Sequence, residues 1–252
     1  MAFYKYIPGN LRNKLFGERE IYGKIPHEND EDWKEWLTFY YKFYSSTQKK
    51  GISYVVNNSG YKVLRNVDFS NKSILELGPG DLPHISYWLG KPKKYTLCDI
   101  REDFLKKSKE KLANLEIESQ LHLMETTKIP VMDNSIDIII AFYVLEHLAP
   151  FDGYLEEIYR ILKPGGILVA GIPTEGGLLW GIGRYFSSRH FILKNSKLNP
   201  DKIICWEHPN FASSILEQIS QKMVFKRKKF WPLNISVIDF NLIIYFIAQK
   251  PN

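Results

Sequence analysis

From residue 73 onward, short apolar runs alternate with segments of helical periodicity, and this alternation constrains the fold more than any other feature. The apolar runs cover residues 73–77, 95–98, 121–124, 136–142 and 167–172. Helix-like segments fall at about 83–90, 102–115, 151–162 and 211–221. Strands that are apolar throughout belong to parallel sheets covered on both faces. Their alternation with helices implies βαβ units. The last two runs, 222–230 and 242–248, are separated only by Trp231-Pro232 and a turn. Parallel neighbours need a long crossover, so this pair is expected to be antiparallel.

The first 70 residues read differently, as a helical extension or lid before a domain spanning 71–252. From Asp30 there is an N-cap candidate with acids in the first turn. Trp33, Trp36, Leu37, Tyr40, Tyr41 and Tyr44 then recur at helical spacing. Such an aromatic face packs on a core, and it can also roof a ligand site. At 252 residues and 44% hydrophobic, the chain can bury one large core, and Gly 16 and Pro 13 argue against collagen-like or disordered classes. Cys98 and Cys205 cannot build a disulfide framework, which favours a reducing compartment. Lys5, Pro8, Asn10, Arg12 and Asn13 leave no room for a secretory apolar region, and the longest apolar run is eight residues, 138–145. A cytoplasmic location is expected.

The first strand ends in Ile74-Leu75-Glu76-Leu77-Gly78-Pro79-Gly80-Asp81, with Pro83 suited to a first helical turn. Glycines at such a turn let the backbone approach a ligand near a helix N-terminus. A dinucleotide fingerprint wants a third glycine where Pro83 stands. Glu76 would also repel a pyrophosphate, so a cationic or zwitterionic ligand is indicated. Asp99 closes the second run, 19 residues beyond Gly80, where an acid can accept from ribose hydroxyls. Glu125 closes the third, placed to accept from an exocyclic amine. Together the acids describe a pocket for an adenosine with an amino-acid tail.

At this point residues 73–172 resemble a class I S-adenosylmethionine-dependent methyltransferase of the small-molecule, type 11-like kind. The text that carries the resemblance is SILELGPGD, YTLCDI, METTKIPVMDNSIDIIIAFYVLEHL and LEEIYRILKPGGILVAGIP. The resemblance implies an α/β, Rossmann-like, doubly wound, mostly parallel seven-stranded sheet of order 3-2-1-4-5-7-6. Its last strand is antiparallel, and here it adds to the N-terminal helical extension. It implies S-adenosyl-L-methionine as cofactor and S-adenosyl-L-homocysteine as product. It further implies that Glu76, Gly78 and Gly80 shape the methionine pocket and that Asp99 binds the ribose. Glu125 and Thr126 would hold the adenine, Ile100 would pack on its ring, and Phe142 and Tyr143 would lie beside the methyl-donor end. The chain departs from the family pattern at Leu82, the third motif glycine, and at Glu125, usually Asp.

Methyl transfer is an in-line displacement in which positioning supplies much of the acceleration, and an oxygen acceptor usually adds a general base. His208, in a polar and aromatic setting, is the leading candidate and His147 the second; a Glu-His pair after the fourth strand also serves packing or capping. No Asn/Asp-Pro-Pro-Tyr/Phe motif and no suitably placed cysteine nucleophile is present. No Asp, Asn and His cluster has metal-ligand spacing, so no metal is expected. Residues from about 174 to 210 form an insertion that reads as an acceptor-binding cap. Ten Lys and Arg against three acids between residues 184 and 230 give that stretch a surplus of seven, within a chain of +6. Arg184, Arg189 and Lys194 would favour an anionic or sugar-linked small-molecule acceptor, methylated on oxygen. The run 226–229 is read first as edge-strand protection, and nucleic acid is the less favoured partner. Two alternatives remain: an RNA methyltransferase docking through 184–230, and a non-catalytic cofactor-binding partner subunit.

Overall fold

The computed structural model describes residues 3–43 and 51–252, excluding the side chains of 41–43 and 51–53. Of the aromatic stripe, the Tyr41 side chain and Tyr44 therefore lie outside the described residues. Seven strands form one sheet: β1 (Ser73–Leu77), β2 (Lys94–Asp99), β3 (Ser119–Leu123), β4 (Ile136–Phe142), β5 (Leu162–Pro173), β6 (Val224–Trp231) and β7 (Ile243–Gln249). Their order is β3-β2-β1-β4-β5-β7-β6. Neighbours from β3 to β5 pair parallel, whereas β7 runs antiparallel to both β5 and β6. The expected doubly wound architecture with its antiparallel strand is thus observed.

Side chains alternate across a strand, and the two faces of this sheet meet different helices. Leu75, Leu77, Ile139 and Ala141 join one core with α6 (Phe151–Ile161) and α10 (Ala212–Lys222). Ile74, Tyr95, Leu97, Ile138, Ile140 and Phe142 join the other, with α5 (Glu102–Asn114) and residues 61–69 of the extension. Between β1 and β2 the sequence predicts a helix over 83–90, but only a single 3-10 turn forms at Ile85–Tyr87. Leu89 is drawn into a bridge with Asp68, and two contacts fix the chain there. Trp88 Nε1 donates to His84 Nδ1 at 2.9 Å, and the Phe69 N–H takes the Leu89 carbonyl at 2.8 Å.

The extension contributes α1 (Gly9–Phe16), α2 (Arg19–Tyr22), α3 (Glu31–Phe43) and α4 (Gly51–Tyr61). The insertion folds into α7 (Leu178–Arg184), α8 (His190–Asn195) and α9 (Pro200–Glu207). These two parts pack on each other: Trp36 of α3 is buried with Ile192, Leu198 and Ile203, a small core separate from the sheet. The aromatic helix therefore packs not on the main core but on the insertion, and the two make one cap. Asn199 caps α9 by accepting the Asp201 N–H at 2.9 Å, with Pro200 in the first turn.

Candidate active site

A cavity of about 310 Å³ opens between the carboxyl ends of the central strands and the cap, within the range of small-molecule sites. Its floor is Leu77 and Gly78 after β1, Cys98, Asp99 and Ile100 at the end of β2, and Met124 beyond β3. Val144, His147 and Leu148, beyond β4, form one wall. Ile25, Pro26 and Trp33 of the extension and Trp206 of α9 close it from above.

The loop after β1 can lie this close to the β4 wall only because residue 78 is glycine. It has φ +62°, and a Cβ there would meet the Val144 side chain at 2.9 Å. Its N–H donates to the Cys98 carbonyl at 2.8 Å, fixing the loop against β2. Gly80 also has positive φ, and its carbonyl accepts the Ser108 hydroxyl at 2.9 Å, so it shapes the turn from behind the cavity. Asp99 accepts the Arg101 N–H at 2.9 Å through Oδ1, and burial pushes its carboxyl up to about 6. Ile100 is 70% exposed at the rim, a large apolar side chain ready to be covered.

Seven of the eleven sequence-predicted residues do not line this cavity: Gly80, His208 and five more. Glu76 sits one position before Leu77, so the pleat sends it to the opposite face of the sheet. There it is 1% exposed and accepts from His84 Nε2, at 2.7 Å, and from the Tyr95 hydroxyl. Because His84 Nδ1 already accepts from Trp88, the ring is the Nε2–H tautomer and donates to Glu76. Phe142 follows the same alternation into the core beside Tyr61 and His84. Tyr143, at φ +55°, turns its hydroxyl to the Asn57 carbonyl at 2.6 Å. Glu125 and Thr126 are exposed, and the cavity is met instead by Met124. β3 is the sheet edge, and the chain turns outward as it leaves it.

The two candidate histidines do come together. His147 and His208 lie edge to face with ring centroids 4.7 Å apart, although 61 positions separate them. Three buried or half-buried carboxylates surround them. Glu175 Oε2 takes His208 Nδ1–H at 2.9 Å, and Arg184 grips the same carboxylate at 2.6 and 2.8 Å. Burial works against the Glu175 charge, but Arg184, His208 and Arg19 hold its carboxyl well below the usual range. Glu207 faces His147 Nδ1 at 3.3 Å and accepts from Trp36 Nε1. Glu146 is 2% exposed, and burial raises its carboxyl to about 7. Burial alone would lower His147, yet Glu207 and Glu146 outweigh it and raise the ring to about 9. For His208 burial wins, and its pKa falls.

Asn210 straps these parts together, donating to the carbonyls of Leu145 at 3.2 Å and Leu148 at 2.6 Å. The loop carrying Glu146 and His147 is thereby tied to the segment carrying His208. The sequence reading did not single out Glu146, Glu175, Glu207, Trp206 or residues 24–26 as site residues. The acids carried no local signal, since their partners are remote in sequence; for Trp206 the apolar face of α9 was such a signal.

The basic insertion behaves differently from expectation. Arg184 is buried against Glu175 and the Leu15 carbonyl, and Arg189 pairs with Asp201 at 2.7 Å. Two of the three cations read as acceptor contacts are therefore neutralised inside the cap.

Residues 75–170 match the family described as "Methyltransferase domain". With the sheet order above, this segment is a methyltransferase domain on the class I fold, and that fold implies S-adenosylmethionine as cofactor. Among curated relatives, the ubiquinone/menaquinone biosynthesis C-methyltransferase UbiE of Escherichia coli O1:K1 is 34% identical over 103 residues, 39% of this chain. The chain thus spans 41% of the length of that relative. A SAM-dependent methyltransferase from Aquifex aeolicus has a similar structure, with TM-score 0.52 and 18% identity over 75% of this chain and 88% of that one. The complex containing the Haloferax volcanii Trm112 methyltransferase activator gives TM-score 0.54 and 13% identity, over 88% of this chain and 97% of that one.

The residues present fit the implied cofactor. Gly78 leaves the floor without a side chain, Asp99 offers a carboxylate at the end of β2, and Ile100 and Met124 give apolar surface beside it.

Proposed function

We propose that this chain is an S-adenosylmethionine-dependent methyltransferase acting on an oxygen of a small, ring-bearing acceptor of the sugar or glycan-precursor type. The observation that carries the reading is the placement of Gly78, Asp99 and Met124 at the ends of three adjacent strands, facing His147 across one capped cavity. When bound, the cofactor supplies an electrophilic methyl group. Asp99 would hold its ribose, Gly78 would admit its amino-acid tail, and Ile100 and Met124 would flank its base. Trp33, Tyr154 and Trp206 give the cavity aromatic faces suited to the apolar side of a ring. His208 does not line the cavity but lies edge to face with His147, which does; oriented through Nδ1 by Glu175, it would take the acceptor's proton through Nε2. An anionic acceptor is disfavoured, because Arg184 and Arg189 are already paired. The UbiE relatives are named C-methyltransferases, and the match to them covers 103 residues.

Calorimetry with S-adenosylhomocysteine across pH tests the cofactor site. Burial places the Asp99 carboxyl near pH 6, and only its ionised form accepts two hydroxyl hydrogen bonds. Affinity should therefore fall as pH drops through about 6, while Asp99→Asn should bind about tenfold or more weakly, with a flat profile. Absence of binding to the wild type would remove the reading; an unchanged Asp99→Asn affinity would remove the ribose assignment.

A further inference from the structure

We propose that Glu146, His147 and His208 bind one divalent transition-metal ion on the wall of the cavity. Each offers a ligand atom, and the three atoms lie within 4.8 Å of one another. Nδ1 of both rings is engaged by a carboxylate, His208 by Glu175 at 2.9 Å and His147 by Glu207 at 3.3 Å. Nε2 is thus the nitrogen each ring has to offer, and that of His147 lies 3.8 Å from Glu146 Oε1. Carboxylates behind both imidazoles are the outer-shell arrangement that fixes the tautomer and raises ligand basicity.

A second observation is independent of the spacing. Glu146 Oε2 is buried and has no hydrogen-bond partner, on a side chain only 2% exposed. An unpartnered buried carboxylate oxygen is costly unless a cation meets it. His147 does not meet it, since its nearest approach is to the other oxygen and is too long for a hydrogen bond. The nearby guanidinium groups are taken up elsewhere: Arg184 and Arg19 meet Glu175, at 2.6 and 3.6 Å.

Two imidazoles and one carboxylate suit Zn2+, Mn2+ or Fe2+ better than Mg2+ or Ca2+. Three protein ligands leave a coordination position open, the pattern of catalytic rather than structural sites. His147 is 32% exposed and lines the cavity, so the open position adjoins the space assigned to the acceptor. The ion's task rests on the methyltransferase reading: it would coordinate the acceptor hydroxyl and lower its pKa, so that the hydroxyl proton leaves to water in the open cavity as the oxygen takes the methyl group. In the ion-loaded protein His208 then acts by holding the ion instead of taking the proton.

The test uses the full chain, free of any affinity tag and stripped with chelator, titrated with Co2+ and then Zn2+. One equivalent of Co2+ should give the visible absorption of a four- or five-coordinate site, bleached by one equivalent of Zn2+. Glu146→Gln and His208→Gln should abolish it. His147→Gln, at a partly exposed position, should do so without loss of fold. Glu207→Gln, acting through His147, should weaken binding by roughly 10–100-fold. Absent binding in the folded wild type, or binding undiminished in the His147 and Glu146 variants, overturns the site. Binding of S-adenosylhomocysteine by a protein that takes up neither Co2+ nor Zn2+ would refute this site and leave the enzyme reading intact. Metal binding without S-adenosylhomocysteine binding would do the reverse.

Discussion

At the scale of single residues, neighbours in sequence divide between the cofactor cavity and the core. Leu77 and Gly78 meet the cavity, while Glu76 is turned away into a buried network with His84, Tyr95 and Trp88. The two positions predict opposite phenotypes. Glu76→Ala would leave a buried His84 N–H and a buried Tyr95 O–H without acceptors, at about 1–3 kcal/mol for each. A loss of several kcal/mol in urea denaturation is therefore expected, with S-adenosylhomocysteine affinity changed less than about threefold in the fraction that folds. A stable Glu76→Ala protein that had lost cofactor affinity would return the residue to the cavity wall. Leu82 obeys the same logic. It stands where the family pattern has glycine, at φ +51° yet 1% exposed. Burial of a leucine is worth about 1.5–3 kcal/mol and outweighs the roughly 1–2 kcal/mol cost of a left-handed residue.

At the scale of elements, what was legible follows from periodicity. Mostly apolar runs gave the five parallel strands, and the missing crossover between β6 and β7 gave their antiparallel pairing. The carboxyl ends of those strands located the cavity, and Gly78, Asp99 and Ile100 line it. What could not be read is what long-range packing decides. The predicted helix over 83–90 yields where Leu89 bridges to Asp68 and its carbonyl takes the Phe69 N–H, and no local periodicity reports that partner. The aromatic stripe of α3 announced burial, but its partner, the insertion core of Ile192, Leu198 and Ile203, lies some 160 residues away. Trp36 joins the two parts of this cap and donates to Glu207, which in turn faces His147. Trp36→Ala removes a large buried side chain, a change that costs about 3–5 kcal/mol. Because that core is separate from the sheet, amide exchange should accelerate in α8 and α9 while β1, β4 and β5 stay protected. Uniform acceleration across the sheet would mean that cap and sheet unfold as one unit.

At the scale of the whole molecule, the +6 charge resolves into internal pairs and one edge strand. Of the ten cations between residues 184 and 230, Arg184 pairs with Glu175 and Arg189 with Asp201. Lys202 lies between Asp30 and Asp32, and Lys222 meets Glu156. These pairs hold the extension, insertion and last helix in place. The run 226–229 lies on β6, the outermost strand, where charge discourages edge-to-edge association. Its side chains alternate between faces, and Lys228 folds back over the Phe225 ring. Nucleic-acid affinity grows with the number of cations that can meet successive phosphates, and each contact steepens the salt dependence. With four of the ten in ion pairs and the β6 run divided between two faces, the set meets few of them. RNA should therefore bind weakly, with a shallow salt slope, and should not compete with S-adenosylhomocysteine near physiological salt. The double substitution Lys226→Glu with Lys228→Glu should leave cofactor affinity unchanged while abolishing what RNA binding exists. Tight binding with a steep salt slope, lost together with methyl transfer in that variant, would make RNA the acceptor and displace the small-molecule reading.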